Sequence, residues 1–537
     1  MRILGTLAVL GSLIAHEASA QRRDSLEITV AELEAHLRFL ASDLLEGRGP
    51  ATRGERLTTA YLVSQLQAAG VEPVMGSGKE WLQPVSILVH DPDPAARPGA
   101  RVTGPVTRVL EHGRDIRLGN YSSRPEVSAG GELVFVGFGI DAPVYHWNDL
   151  AGVDLRGKVA VGLIGEPTLP GDTSRFNGVR ASRYSWMADK TADLERNGAI
   201  GVLWVRPAGS LSSAAPGGAR RLADAARDAR MLFTGSLTDS VLAALLPPGE
   251  GPLAGLIAAA SKPGFKARPL GVRLDVQFKT APRTVTTSNV IGTVRGTDPA
   301  LAGEHIVISS HWDAYGIGTP VKGDSINNGA MDDGSGMIAE LALARVFARH
   351  PQPRSITFLF ATSEEWGLLG AEAFVGGGPL RMDQVVANLN LDDGPEIFGP
   401  KRDVAPLGIE LSSLGGMVDS LAKERGLRVT ADPYPQEGFF LRADNYPFAR
   451  AGVPALYMAL GTHDVGHPDG WTDGKVKEYM EQHYHRPSDD YETVVFDLAG
   501  SRQLAEFTRD LTIAVARARS RPTWLPGAEF SRGAIRP

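Results

Sequence analysis

From Ser288 onward, short β-rich runs alternate with amphipathic stretches, and this alternation constrains the fold more than any other feature of the chain. Residues 289–294, 305–310, 355–362, 385–391 and 454–460 read as strands. Residues 335–347, 407–425 and a stretch built on Leu504, Phe507, Leu511 and Val515 read as helices. The run 355–362 is nearly continuous in apolar residues, the pattern of a strand covered on both faces. The predicted class is α/β, a doubly wound, mostly parallel (mixed) sheet with helices on both faces. In such sheets ligands bind in the crevice beyond the carboxyl ends of the strands. Acids and histidines collect at those ends: His311 and Asp313 after 305–310, Glu364 and Glu365 after 355–362, Asp392 after 385–391. Asp332 lies in a glycine-rich loop before helix 335–347, and Tyr484 and His485 arrive from a late loop.

Taken singly, each piece has an ordinary structural explanation. A His-x-Asp is a common hydrogen-bonded pair, Asp332-Asp333-Gly334 suits a helix N-cap, and Glu364-Glu365 suits a solvated pair. Their joint order along one sheet edge points instead to a co-catalytic metal site. The chain has no Cys, so a zinc site here must use His and carboxylates, which fits catalysis better than structure. Neither a Gly-x-Ser-x-Gly elbow nor a Cys nucleophile offers a competing hydrolase. His463 and His467 read as a structural or substrate-lid loop.

Residues 1–20 read as a removable leader. Arg2 precedes an apolar stretch too short to anchor in a bilayer, and Ala18-Ser19-Ala20 has the small-x-small pattern of a cleavage site. The expectation is an exported protein, periplasmic or secreted, with no stable membrane anchor. With 55 Lys and Arg against 62 Asp and Glu, the net charge of −7 gives no electrostatic reason to expect nucleic acid as a partner. Leu33, Leu37, Leu40 and Leu44 form the apolar stripe of a helix that Thr29 and Glu32 start as a capping box. A second helix, ended by Gly70, comes after the loop 47–54, and both helices read as packing elements. Residues 120–280 read as an inserted β-rich module, with strands at 132–136, 158–163 and 200–205 and a helix at 191–197. Its Gly137-Phe138-Gly139 stretch nominally matches a dinucleotide fingerprint, but Pro143 stands where the phosphate-binding helix should run. The main domain then comprises 21–119 and 281–520, with a tail at 521–537.

Five motifs together resemble the co-catalytic zinc aminopeptidases of peptidase family M28. They are His311-Trp312-Asp313, the loop from Gly329 to Gly336, Ser363-Glu364-Glu365-Trp366-Gly367, Asn390-Leu391-Asp392 and Tyr484-His485-Arg486-Pro487-Ser488-Asp489. The text from Ala35 to Asp43 resembles that family's usual start, and the insertion resembles a protease-associated (PA) domain. The resemblance implies two Zn2+ per chain, one held by His311, Asp332 and Asp392, the other by Asp332, Glu365 and His485. It implies Glu364 as general base, Asp313 as the acid that orients His311, and Tyr484 as a hydrogen-bond donor to the oxyanion. The implied activity is aminopeptidase action on peptides through a metal-bridged hydroxide. Carboxypeptidase or glutaminyl cyclase action on the same scaffold, and a non-catalytic receptor-like homologue, are the alternatives. The complete set of ligands and base argues against the last. Two positions depart from the family pattern: Asp393, where an apolar residue is usual, and Asn445, where His is frequent.

Overall fold

The computed structural model describes residues 26–91, 98–167, 176, 178, 180–211, 218, 220–246, 251–494 and 496–531. The leader expected at 1–20 and the last part of the expected tail lie outside the described residues. Contacts divide the chain into two units. The first comprises Met1–Pro84, Ser288–Pro433 and Ala443–Leu525, and the second comprises Val85–Thr287, Tyr434–Arg442 and Pro526–Pro537.

Five strands of the first unit's sheet bear on the site: β1 (Ala281–Val294, from Ser288 onward in this unit), β2 (His305–His311), β3 (Ser355–Ala361), β4 (Val385–Leu391) and β5 (Ala455–Met458). Their spatial order is β1-β3-β2-β4-β5. β1 runs antiparallel to β3, whereas β3, β2, β4 and β5 run parallel. This is the expected mixed, mostly parallel sheet. Every residue of β3 and β4 is buried, as two-sided coverage requires. The register pairs His311 with Ala361 and Ser309 with Asn390. β2, β3 and β4 therefore end at one edge, and the turns leaving them carry their side chains to that edge.

The helices are α1 (Val30–Leu40), α2 (Arg53–Ala69), α3 (Gly334–Arg349), α4 (Leu369–Gly377), α5 (Leu414–Glu424), α6 (Asn445–Arg450), α7 (Trp471–Gln482) and α8 (Leu498–Arg517). Leu33, Leu37, Leu62, Ile338, Leu341, Val418, Phe507 and Leu511, from α1, α2, α3, α5 and α8, share one core with Ile306, Ile308, Phe358 and Phe360 of the sheet. Helix α6 packs on α4, β4 and β5. Thr29 caps α1 by accepting from the Glu32 N–H at 3.2 Å, one half of the expected capping box, while the Glu32 carboxylate accepts from Arg345.

Two local expectations change. Helix α1 stops at Leu40, and a 3-10 turn over Asp43–Arg48 comes next. The change of pitch shifts the apolar phase by one residue, so Leu45 is buried while Leu44 is 66% exposed. The helix expected over 407–425 is interrupted at Gly408, whose φ of +90° is left-handed. A short 3-10 turn succeeds it, and α5 begins only at Leu414.

The second unit is an eight-stranded mixed sheet whose middle strands, Glu126–Phe135, Val159–Leu163, Gly201–Arg206 and Phe233–Thr238, run parallel. Leu133 and Phe135 enter one core and Val134 and Val136 another, so both sheet faces are covered. The unit begins at Val85, earlier than the expected 120. The cause is pairing: Gly99–Thr103 joins Arg268–Lys279, and Ile116–Asn120 joins Phe233–Thr238. At the rejected nucleotide fingerprint, the Phe138 and Ile140 N–H groups donate to Asp149 at 3.1 and 3.2 Å. A phosphate there would lack those donors.

Candidate metal centre

His311 is the last residue of β2 and is fixed from two sides. Its backbone N–H donates to Asp333 Oδ2 at 3.0 Å, and its ring Nδ1 lies 3.0 Å from the main-chain oxygen of Asp313. A carbonyl only accepts, so Nδ1 carries a proton and Nε2 is the nitrogen left to face the acids. Nε2 lies 3.1 Å from Asp332 Oδ1, 3.6 Å from Asp392 Oδ1 and 3.9 Å from Glu364 Oε2. It is buried and has no hydrogen-bond partner among the described residues.

Asp332 sits at the centre. While Oδ1 faces His311, Oδ2 faces His485 Nε2 at 3.3 Å, and that nitrogen is also 3.3 Å from Glu365 Oε2. Two donor sets have ligand atoms within 4.8 Å of one another: Asp332, Glu365 and His485, and His311, Asp333 and Asp392. The second set contains Asp333 where the sequence reading expects Asp332. Asp333 is already engaged, taking the His311 N–H and, as N-cap of α3, the Gly336 N–H at 2.7 Å. Asp332 has one oxygen toward each histidine, which suits a shared ligand. The peptide bond between the two aspartates is cis.

The orienting role expected of the Asp313 carboxylate shifts to its main-chain oxygen. Asp313 Oδ1 is 3.8 Å from His311 Nδ1 and instead accepts the Glu364 N–H at 3.1 Å. Asp313 thus holds the ring with its backbone and the neighbouring turn with its side chain. Glu364 lies at the end of this chain of contacts, with its side chain 12% exposed. The Tyr484 ring stacks on His485 with centroids 3.6 Å apart. Sequence reasoning misses Tyr315, whose hydroxyl is 3.0 Å from His485 Nδ1. Its only signal is its place two residues beyond Asp313. Asp393, the first departure, is held by Tyr457, which donates to its main-chain and side-chain oxygens. Asn445, the second, is fully buried, beside an Asp444 whose two carboxylate oxygens lack hydrogen-bond partners among the described residues. His463 pairs with Asp403 at 2.8 Å and His467 stacks on Trp471, so neither joins the donor sets.

The electrostatics describe a deficit of positive charge. Burial pushes Glu364 well above the ordinary carboxylate range; His311 opposes this, while Glu365, Asp392 and Asp444 add to it. Glu365 is raised the same way, by burial and then Asp332. Burial works to raise Asp332 too, but the His311 and His485 rings, one beside each of its oxygens, outweigh burial and hold it low. So many carboxylates ionise together only if cations join them. The buried His311 Nε2 facing the acids, the carboxylate between two imidazoles and the all-N/O donor set fit zinc.

Comparison with known proteins agrees with this chemistry. A family model described as peptidase family M28 matches residues 289–509. A probable leucine aminopeptidase 2 of Aspergillus oryzae is 26% identical over 148 residues, 27% of this chain and 27% of that protein. A probable zinc metalloprotease of Leptosphaeria maculans is 29% identical over 218 residues, 35% of this chain and 49% of that protein. A vacuolar membrane protease of Kluyveromyces lactis is 34% identical over 102 residues, 19% of this chain and 10% of that protein. The matches thus span at most about half of these relatives. Among solved structures, an aminopeptidase from Aneurinibacillus sp. strain AM-1 is similar with a TM-score of 0.51 and 20% identity, covering 92% of this chain and 95% of that one. That likeness is one of fold.

Proposed function

Because the chain belongs, through residues 289–509, to peptidase family M28, we propose that it is a di-zinc metallopeptidase, an aminopeptidase that releases N-terminal residues from peptides. The observation that carries this reading is the Asp332 carboxylate, with one oxygen 3.1 Å from His311 and the other 3.3 Å from His485. His311, Asp332 and Asp392 would hold one zinc, and Asp332, Glu365 and His485 the other. When bound, the metals supply Lewis-acid polarisation of a peptide carbonyl and a water that is acidic near neutral pH.

The chain's own groups do the rest. Glu364 takes the water's proton and returns it to the leaving amine. Asp313 keeps Glu364 in reach through its backbone N–H, and fixes the His311 tautomer through its carbonyl. Tyr484 hydrogen-bonds the developing oxyanion, and Tyr315 orients His485 from its other nitrogen. Relatives named as a leucine aminopeptidase and a zinc metalloprotease support the substrate class. The pattern of residues 1–20 supports export, and among the described residues no helix is long and apolar enough to cross a membrane. We read the second unit as PA-like.

Elemental analysis of the active protein, with turnover of matched free and N-blocked peptides before and after chelation, tests the reading. The expected result is about two zinc ions per chain and chelator-sensitive cleavage of free peptides alone. Equal cleavage of blocked peptides would sink the aminopeptidase assignment, and active protein with one metal or none would sink the two-zinc model.

A further inference from the structure

Arg48 ends the 3-10 turn after α1, far in sequence from every residue assigned a role so far, and it is fully buried. Among the described residues its guanidinium has no carboxylate within hydrogen-bond reach, and its acceptors are main-chain carbonyls. Nε donates to Trp312 at 2.8 Å, Nη1 to Leu40 at 2.8 Å and to Asn328, and Nη2 to Gly329 at 2.8 Å. Trp312 separates His311 from Asp313, and Asn328 and Gly329 open the loop that ends in Asp332. One planar fork therefore joins two ligand-bearing segments to the end of α1.

The opposite side of the loop is held by an anion. Asp489 accepts the Met331 N–H at 2.9 Å, the Asp332 N–H at 3.2 Å and the Tyr479 hydroxyl at 3.0 Å. Its main-chain oxygen takes the Ala330 N–H at 3.0 Å. Carbonyls on one side of the segment meet a cation and N–H groups on the other meet an anion, which leaves the Asp332 side chain free to point at the histidines. The approach is close: Gly329 has φ +58°, and a Cβ there would stand 2.8 Å from Arg48 Nη2 and 2.3 Å from the Asp332 main-chain oxygen. Burial pulls the guanidinium below its ordinary value, and Asp489, Asp333, Asp332 and Asp313 oppose that pull.

We propose that Arg48 is a positioning residue of the metal centre: with Asp489 opposite, it fixes the main chain around Trp312 and through 328–332 so that His311 and Asp332 are aimed before any metal arrives. The inference rests on the metal site proposed above. Without the clamp, repulsion among the crowded carboxylates would splay the loop, and metal binding would have to supply the ordering. Lysine cannot substitute, because an ammonium on a flexible stem cannot span carbonyls from three separate segments as the fork does.

The test compares full-length wild type with Arg48→Lys and with the near-isosteric Asp489→Asn. Zinc affinity is read by chelator competition, and amide hydrogen exchange of 328–332 is followed in the metal-stripped protein. Loss of partners that orient metal ligands weakens metal binding by about 10–100-fold. Each variant should show a loss of that size, exchange in the loop about tenfold faster, and a kcat that falls at saturating zinc while KM stays within about twofold. Wild-type zinc affinity and loop exchange in a folded Arg48→Lys, with only its melting temperature lowered, would overturn the role and leave Arg48 as a staple for α1. If Arg48→Lys does not fold, Asp489→Asn decides by the same readouts. A wild type that takes up no zinc overturns the metal reading and this role together, whereas a wild type holding two zinc ions beside unaltered variants overturns this role alone.

Discussion

Glu364 and Glu365 are neighbours in sequence with different surroundings. Glu365 lies 3.3 Å from His485 Nε2 with its side chain 4% exposed, whereas Glu364 keeps 12% exposure and a longer, 3.9 Å separation from His311 Nε2. On the proposed reading Glu365 binds metal and Glu364 exchanges a proton. Glu364→Gln should therefore retain both metals while losing at least ~100-fold in kcat, the scale of a lost general base; turnover within a few-fold of wild type would move the base elsewhere. Glu365→Gln should release metal instead. Asp332→Asn should weaken both sites and Asp392→Asn only one, a difference that metal counting after dialysis resolves. Of the proposed ligands, His311, Glu365 and Asp392 stood out in the sequence because each closes or follows an apolar run, where a strand must stop, whereas Asp332 and His485 stand in loops. Tyr315 and Arg48 were not, because their roles depend on contacts with His485 and with carbonyls hundreds of residues away.

Among the elements, the strands were easier to read than the helix ends. β4 occupies the residues expected of it, and β2 gains only His311, since continuous apolar runs bounded by polar turns leave little choice of register. Helix limits depend on local capping and on which face is covered. Ala41 at the C-cap of α1 and the 3-10 turn beyond it exposed Leu44 against a regular leucine spacing. This contrast gives a stability prediction. Phe358, fully buried in β3 opposite Ile308, should cost about 3–5 kcal/mol when changed to Ala. Leu44→Ala should stay within about 0.5 kcal/mol, because the side chain is 66% exposed. Urea unfolding of the two variants checks both values, and a large loss from Leu44→Ala would restore the longer helix.

Across the whole chain, the boundary of the second unit escaped sequence reading because Gly99–Thr103 and Ile116–Asn120 are short strands whose partners lie far along the sequence. That unit also carries ionisable groups in its interior, which makes its stability depend on pH. Glu166 accepts the Ser182 N–H at 2.9 Å and the Ser182 hydroxyl, yet burial raises it from 4.5 to about 7. Between those values the folded unit holds a proton that the unfolded chain has released. The contribution is complete below about pH 4.5 and is lost as pH rises to about 7, roughly 3 kcal/mol in all. Asp149 and Asp193, each raised by burial to about 6, act in the same sense. Lys190 acts oppositely at higher pH: burial lowers it from 10.5 to about 7, against the pull of Glu166 and Asp149. From pH 7 to 10.5 the unfolded chain holds the extra proton, so stability recovers as pH rises through that window. Together these groups should give the second unit a stability minimum near neutral pH. Amide exchange in Val159–Leu163 and Gly201–Arg206, followed from pH 5 to 9 and corrected for intrinsic rates, should show protection dipping near pH 7. Glu166→Gln should flatten the fall most between pH 6 and 7, where the two aspartates contribute least, and Lys190→Met should remove the recovery above it. A profile unchanged by both substitutions would mean that neither group alters its protonation on folding.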